Sequence, residues 1–138
     1  MRRLLATLCL PACALALAAC GSATSATSTS AFSGVKREVA QRIADFQSNA
    51  NSSEEKKICA NDLAATIVKR LGGTKGCEAA IKTQLGEVDN LEVSVESVAV
   101  GALGARATAT VKSIHEGKSR PSTMLLVKES SSWKISGL

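Results

Sequence analysis

The chain has 138 residues, with 17 Lys and Arg against 12 Asp and Glu, one His and no Tyr. Beyond residue 20 the basic residues run from Lys36 to Lys134, interleaved with acids, and the aromatics there are Phe32, Phe46 and Trp133 alone. That balance excludes a nucleic-acid stripe or stacking platform, and a single histidine, His115, is too little for a histidine-rich metal site.

The N-terminus divides into three zones. Arg2 and Arg3 give a positive start, Leu4 to Leu17 form an apolar run of 14 residues, and small residues follow. This is the layout of a secretory signal, and the run is short of the ~20 residues that span a bilayer. Leu17-Ala18-Ala19-Cys20 resembles the lipobox of bacterial lipoproteins. The resemblance implies removal of residues 1–19, acylation of Cys20, and a location on the extracytoplasmic face of the cell membrane. Two or three acyl chains hold a protein firmly, where one holds it only marginally. A plain signal with an incidental Cys and an uncleaved N-terminal anchor are the alternatives. Residues 20–32 begin as Cys-Gly-Ser-Ala-Thr-Ser, without charge or large apolar side chains until Phe32. They read as a flexible tether, ten residues of which reach roughly 17–19 Å.

Residues 33–138 suffice for one small domain and not for two. Of the five cysteines, Cys9 and Cys13 leave with the signal and Cys20 takes the lipid, so Cys59 and Cys77 remain. An even pair in an oxidising compartment predicts a disulfide, contributing ~3 kcal/mol by loop closure.

The first half of the domain has helical periodicity. Val35, Val39, Ile43 and Phe46 recur at helix spacing behind Ser33 as N-cap, and Asn49 to Ser52 interrupt the pattern. Ser52-Ser53-Glu54-Glu55 matches a capping box for a second helix. Gly72-Gly73 is a helix stop, and Thr74 caps a third helix carrying Cys77, Ile81 and Leu85. One straight helix from 53 to 71 would leave Cys59 ~18 Å from Leu71. Bridged Cα atoms lie only ~4.4–6.8 Å apart. The chain must therefore bend, and Asn61-Asp62 is the place, with Asp62 capping a helix that starts at Leu63.

The second half alternates. Leu91, Val93 and Val95 share a face, the apolar phase slips at Glu96-Ser97, and Val98 and Val100 resume it, which predicts a β-bulge. After Gly101 to Gly104, residues Ala105, Ala107, Ala109 and Val111 oppose Arg106, Thr108, Thr110 and Lys112. Glu116-Gly117-Lys118 turns into a strand over 123–128, and Ser130 to Ser132 turns into a last strand over 133–138. Such short gaps predict an antiparallel four-stranded meander, and helices followed by strands predict an α+β fold with helices on one face of a curved sheet.

This order of an amphipathic helix, a helical pair bearing Cys59 and Cys77, and a sheet ending in Trp133-Lys134-Ile135 is similar to small lipoproteins with a nuclear transport factor 2-like, cone-shaped domain. That superfamily holds isomerases, dehydratases and non-catalytic binding modules, so the fold alone does not choose a function. The enzymes' pockets pair an Asp or His with aromatic or hydroxyl partners, whereas this chain has no Tyr. The strand often inserted between the helices of the full fold is also missing from the pattern.

Candidate chemistry is sparse. Asp45, beside Phe46, is either a buried general base or a surface carboxylate; His115 falls at a hairpin end; Glu96 at the bulge is re-aimed, either toward a cavity or toward solvent. Trp133 fills the concave face of the sheet or floors a pocket. No Ser lies in a nucleophile elbow, and no glycine-rich loop cradles phosphate. The expectation is a module without catalytic residues, metal or cofactor that binds a small apolar ligand or an envelope protein, with Asp45, Glu96 and Trp133 as pocket residues. A small isomerase or hydrolase-like enzyme and a purely structural envelope lipoprotein are the alternatives. A deep cavity around Asp45 or Glu96 favours the enzyme, and an open sheet face with an apolar patch favours binding.

Overall fold

The computed structural model describes residues 28–115 and 117–138. The expected signal, the expected lipid attachment at Cys20 and the first part of the expected tether lie outside them. Ser28 to Ala31 lead into Phe32, which packs against the core and whose carbonyl accepts from Arg37 Nε at 3.0 Å.

Helix α1, Gly34–Asn51, starts after an extended Ser33 whose side chain makes no capping bond. Its buried stripe is Val39, Ala40, Ile43, Gln47 and Ala50. The expected stripe is thus rotated: Val35 is exposed, and Phe46 is only partly buried. The expected capping box at Ser52-Ser53 is not formed. Ser53 takes a left-handed φ of 52°, its N–H donates to Ala50 O, and Glu54 N–H donates to Asn49 O. These two bonds make a Schellman stop, so the serines close α1 instead of opening the next helix.

Helix α2, Glu55–Lys57, is a single turn that widens into a π-turn over Ile58–Asp62 and closes with Leu63 N–H on Ile58 O at 3.0 Å. The bend falls at the expected place. Leu63 and Ala64 then run extended, and α3 spans Ala65–Arg70. Asp62 does not cap it; the carboxylate of Glu129 takes that position, accepting from Ala65 N–H at 3.1 and 3.3 Å. Helix α4, Gly73–Leu85, follows Gly72, whose φ is 91°. Thr74 therefore sits inside the first turn and is not its cap. The bend brings Cys59 and Cys77 to disulfide distance, Cα to Cα 6.1 Å.

Four strands follow: β1 Glu92–Val100, β2 Arg106–His115, β3 Lys118–Glu129 and β4 Ser132–Gly137. They form one antiparallel sheet in the order β1-β2-β3-β4. The register of β1 slips between Val95 and Ser97, so Glu96 is the bulged residue. Strand β3 is longer than its sequence signal because Pro121 is paired with Lys112 of β2, while β4 reaches β3 only over 125–129. A proline's missing donor is tolerated where one side of the strand has no partner.

The core is one layer. Val93, Val98, Ala107, Ala109, Val111, Met124, Leu126, Trp133 and Ile135 line the inner face of the sheet and are buried together with Val39, Ile43, Ile58 and Leu63. Alanines on β2 let α1 approach closely. Two amides of α1 reach β1: Gln47 Oε1 accepts from Val93 N–H at 3.2 Å, and Asn51 bonds both Leu91 N–H and Leu91 O, at 2.7 and 2.9 Å. On the opposite edge Leu63 bridges Ile135 in parallel, with Ala64 N–H on Ile135 O at 2.8 Å. The outer face, by contrast, presents Ser94, Thr108, Thr123 and Leu125, all exposed.

Candidate functional site

Two features stand out. The first is a polar cluster where α1 meets the π-turn and the β3–β4 hairpin. Asp62 is fully buried, held there because the wide turn points it back toward α1. Arg42 Nη1 donates to its Oδ1 at 2.7 Å and Asn49 Nδ2 to its Oδ2 at 2.7 Å. Burial raises the Asp62 carboxyl above its usual range, while the bonds from Asn49 and Arg42 oppose that rise. Lys134 seals the other side, donating to Ala60 O at 2.9 Å and Asn61 O at 2.6 Å, the orphan carbonyls of the π-turn. Burial, reinforced by the charge of Arg42, lowers the Lys134 ammonium's pKa.

Beside this cluster lies a cavity of about 250 Å³ between α1 and the hairpin, lined by Glu38, Gln41, Arg42, Asp45, Ser131, Ser132 and Trp133. Trp133 is 3% exposed, and its Nε1–H has no protein partner; the Nε–H of Arg42 is likewise buried without one. Asp45 accepts from Gln41 at 2.9 Å and lies 3.7 Å from Arg42. Lys128 sits 5.8 Å from the centroid of the Trp133 ring and 3.8 Å from Glu38. The hairpin turn that delivers Ser131 has positive φ at both central residues, Ser130 (47°) and Ser131 (69°), the geometry of a two-residue turn matched to strand twist.

The structure therefore brings together two of the three expected pocket residues, Asp45 and Trp133. Glu96 is not with them. It stands on β1, at the far side of the sheet from β4, exposed and 3.1 Å from Lys112 Nζ. Its bulge aims it at a surface ion pair. Asp45 is a surface carboxylate, its side chain 42% exposed. His115 ends β2, opposite Lys118 at the β2–β3 turn. Arg42, Asn49 and Asp62 carry the cluster, yet nothing in the sequence links positions 13 and 20 residues apart; the one hint was the required bend at Asn61-Asp62.

The second feature is a groove of about 400 Å³ on the outer face, walled by Arg106, Thr108, Leu125, Val127, Thr66 and Ser136, with Leu125 48% exposed. Among the described residues no group of three or more His, Cys, Asp or Glu is arranged to hold a metal ion, and no helix is long and apolar enough to cross a membrane. No family model, curated protein or solved structure matches the chain.

Proposed function

We propose that this chain is an exported lipoprotein, cut before Cys20 and held to the extracytoplasmic face of the membrane by its acyl chains, whose domain is a non-catalytic binding module. The domain is of the cone-shaped, nuclear transport factor 2-like kind, with its concave side filled by α1 and by Trp133. The observation that carries the binding reading is the outer face of the sheet, which holds an apolar groove around a half-exposed Leu125, flanked by Thr66 of α3. An open apolar recess rimmed by a few polar groups suits a small apolar ligand. The enzyme alternative is disfavoured because Asp45 and Glu96 are exposed and already engaged in ion pairs. A bond between Cys59 and Cys77 accords with an oxidising compartment.

The test is native mass spectrometry of the protein purified from its own membrane. The wild type is expected to carry a small apolar molecule that Leu125→Glu loses. A Cys20→Ala variant is expected to leave the membrane fraction. A ligand-free wild type that also fails to take up a long-chain fatty acid probe refutes the binding reading. Full membrane retention of Cys20→Ala refutes the anchor.

A further inference from the structure

Given the anchor proposed at Cys20, on which this rests, we infer that the end of the domain built around the β1–β2 turn is a docking surface for an anionic phospholipid bilayer. Helix α1 runs the length of the sheet. Glu38, early in α1, lies 3.8 Å from Lys128 near the end of β3, while Asn51, its last residue, bonds Leu91 just before β1. The end of β1, the start of β2 and the end of β3 lie side by side, Val100 opposite Ala107 and Arg106 opposite Val127. Lys128 N–H donates on to Ala105 O at 2.9 Å. The turn over 101–105 therefore stands at the same end as the beginning of α1, where the chain arrives from Cys20. Phe32 follows Cys20 by 12 positions. A Ser/Thr-rich segment of that length spans roughly 17–21 Å. Helix α1, with 18 residues, is ~27 Å long. An acylated Cys20 thus holds this end near the lipid and leaves the far end away from it.

The near end has the chemistry of an interfacial contact. Residues 101–105 are all exposed, and Leu103, within the turn, is 95% exposed. Gly104 N–H donates to Gly101 O and Gly101 N–H to Arg106 O, both at 2.8 Å, so these two amides of the turn stay satisfied when water is displaced around them. At the same end stand Lys36, Arg37 and Arg106, all exposed and in no ion pair among the described residues. The acids there are already engaged, Glu38 with Lys128 and Glu129 with Ala65 N–H. The far end has no such surplus, because Glu87, Asp89 and Glu92, before and at the start of β1, offset Lys118 and Arg120. A leucine entering the acyl boundary and cations against phosphates are the two terms that bind a protein to a charged bilayer. A zwitterionic surface supplies only the first. A second copy of the domain would set these cations against one another.

The test uses the acylated protein reconstituted in phosphatidylglycerol or in phosphatidylcholine vesicles. A fluorescent dye is placed on Leu103→Cys or on Ser119→Cys, the latter at the far end, opposite Ile114. Flotation of the vesicles reports the anchor, and quenching of the dye by spin-labelled lipids reports the docking. On phosphatidylglycerol the dye at position 103 is expected to sit about 5–10 Å deep, while the dye at position 119 stays in water. Lys36→Gln with Arg106→Gln is expected to lower the ratio of docked to undocked domain roughly 30-fold, the effect of removing two charges from an anionic surface. A protein that floats with the vesicles while its dye at position 103 stays in water overturns the docking surface and leaves the anchor standing. A protein that does not float overturns the anchor and the docking with it. Equal quenching at both positions overturns the oriented contact, and equal quenching on the two lipids overturns the anionic class.

Discussion

Arg42 Nη1 lies 2.7 Å from Asp62 Oδ1, a contact that ties the middle of α1 to a π-turn twenty residues further along. The acid is fully buried while the base is partly exposed. The pair therefore fixes where the bend of the second helical segment docks, and with it the position of Cys59 and of the extended residues Leu63 and Ala64.

Removing one member of this pair leaves a buried group without its counter-charge. Arg42→Met is expected to cost about 3 kcal/mol in urea unfolding, softened by the bond that Asn49 still gives Asp62. Replacing both, as Arg42→Met with Asp62→Leu, is expected to recover most of the loss. A double variant as weak as the single one would show that the pair contributes more than its own desolvation cost.

The pH response follows from the same carboxyl. Burial raises the pKa of Asp62 in the folded state, so between about 3.9 and the raised value the folded protein holds a proton that the unfolded chain has released. Its contribution to stability is greatest below that window, falls as pH rises through it, and is level above. Urea midpoints measured from about pH 4 upward should therefore show the wild type losing ground to Asp62→Asn as pH increases. A wild type that gains on the variant instead would mean the bonds from Arg42 and Asn49 outweigh burial.

Three serines, Ser53, Ser130 and Ser131, occupy backbone positions better suited to glycine. Ser53 (φ 52°) stops α1, and Ser131 (φ 69°) turns the last hairpin. Left-handed backbone costs an L-residue roughly 1–2 kcal/mol, part of which glycine returns through its freer unfolded state. Ser53→Gly and Ser131→Gly are each expected to stabilise by about 0.5–1 kcal/mol, read as a Tm higher by a few degrees. If Ser53→Gly lowers Tm, the Schellman stop is not what ends the helix.

Gly76 precedes Cys77 at a point where α4 passes hard against the chain: a Cβ there would overlap the carbonyl oxygen of Leu71. Gly76→Ala is expected to destabilise by about 1–3 kcal/mol by pushing α4 away from the bend. Cys59→Ala with Cys77→Ala is expected to lose ~3 kcal/mol, the value for a crosslink closing a loop of this length. Thiol counting without reductant tests the pairing directly, because two free thiols at these positions would refute it.

Much of the architecture was legible because period and punctuation are local properties. The β-bulge appeared as a slip of apolar phase at Glu96, and the bend at Asn61-Asp62 followed from the short span that a Cys59–Cys77 link allows. The errors have a common physical origin. Ser52-Ser53-Glu54-Glu55 satisfies the pattern of a helix start, but Ser52 N–H is given to Ser48 O and the next two N–H groups turn back to Ala50 O and Asn49 O, which closes α1 there. Asp62 was assigned a local capping role, and the helix after it is capped instead by Glu129, 64 residues away. The stripe of α1 is rotated because Gln47 is drawn inward to a strand amide, leaving Phe46 at the margin. Long-range polar contacts of this kind have no period and leave no trace in a single sequence. The same is true of the orphan donors on Trp133 and Arg42, which exist only once α1 and the hairpin have met.

The amides of Gln47 and Asn51 have a wider consequence. A strand at the margin of a sheet ordinarily invites another chain to pair with it. Here α1 occupies the beginning of β1 with its own side chains, Glu96 kinks the middle, and Leu63 and Ala64 take the exposed side of β4. Copies of this domain crowded side by side would find the beginning of β1 and the side of β4 occupied, and on the margin left open, β3 over 118–124, they would meet Pro121, which has no N–H to give.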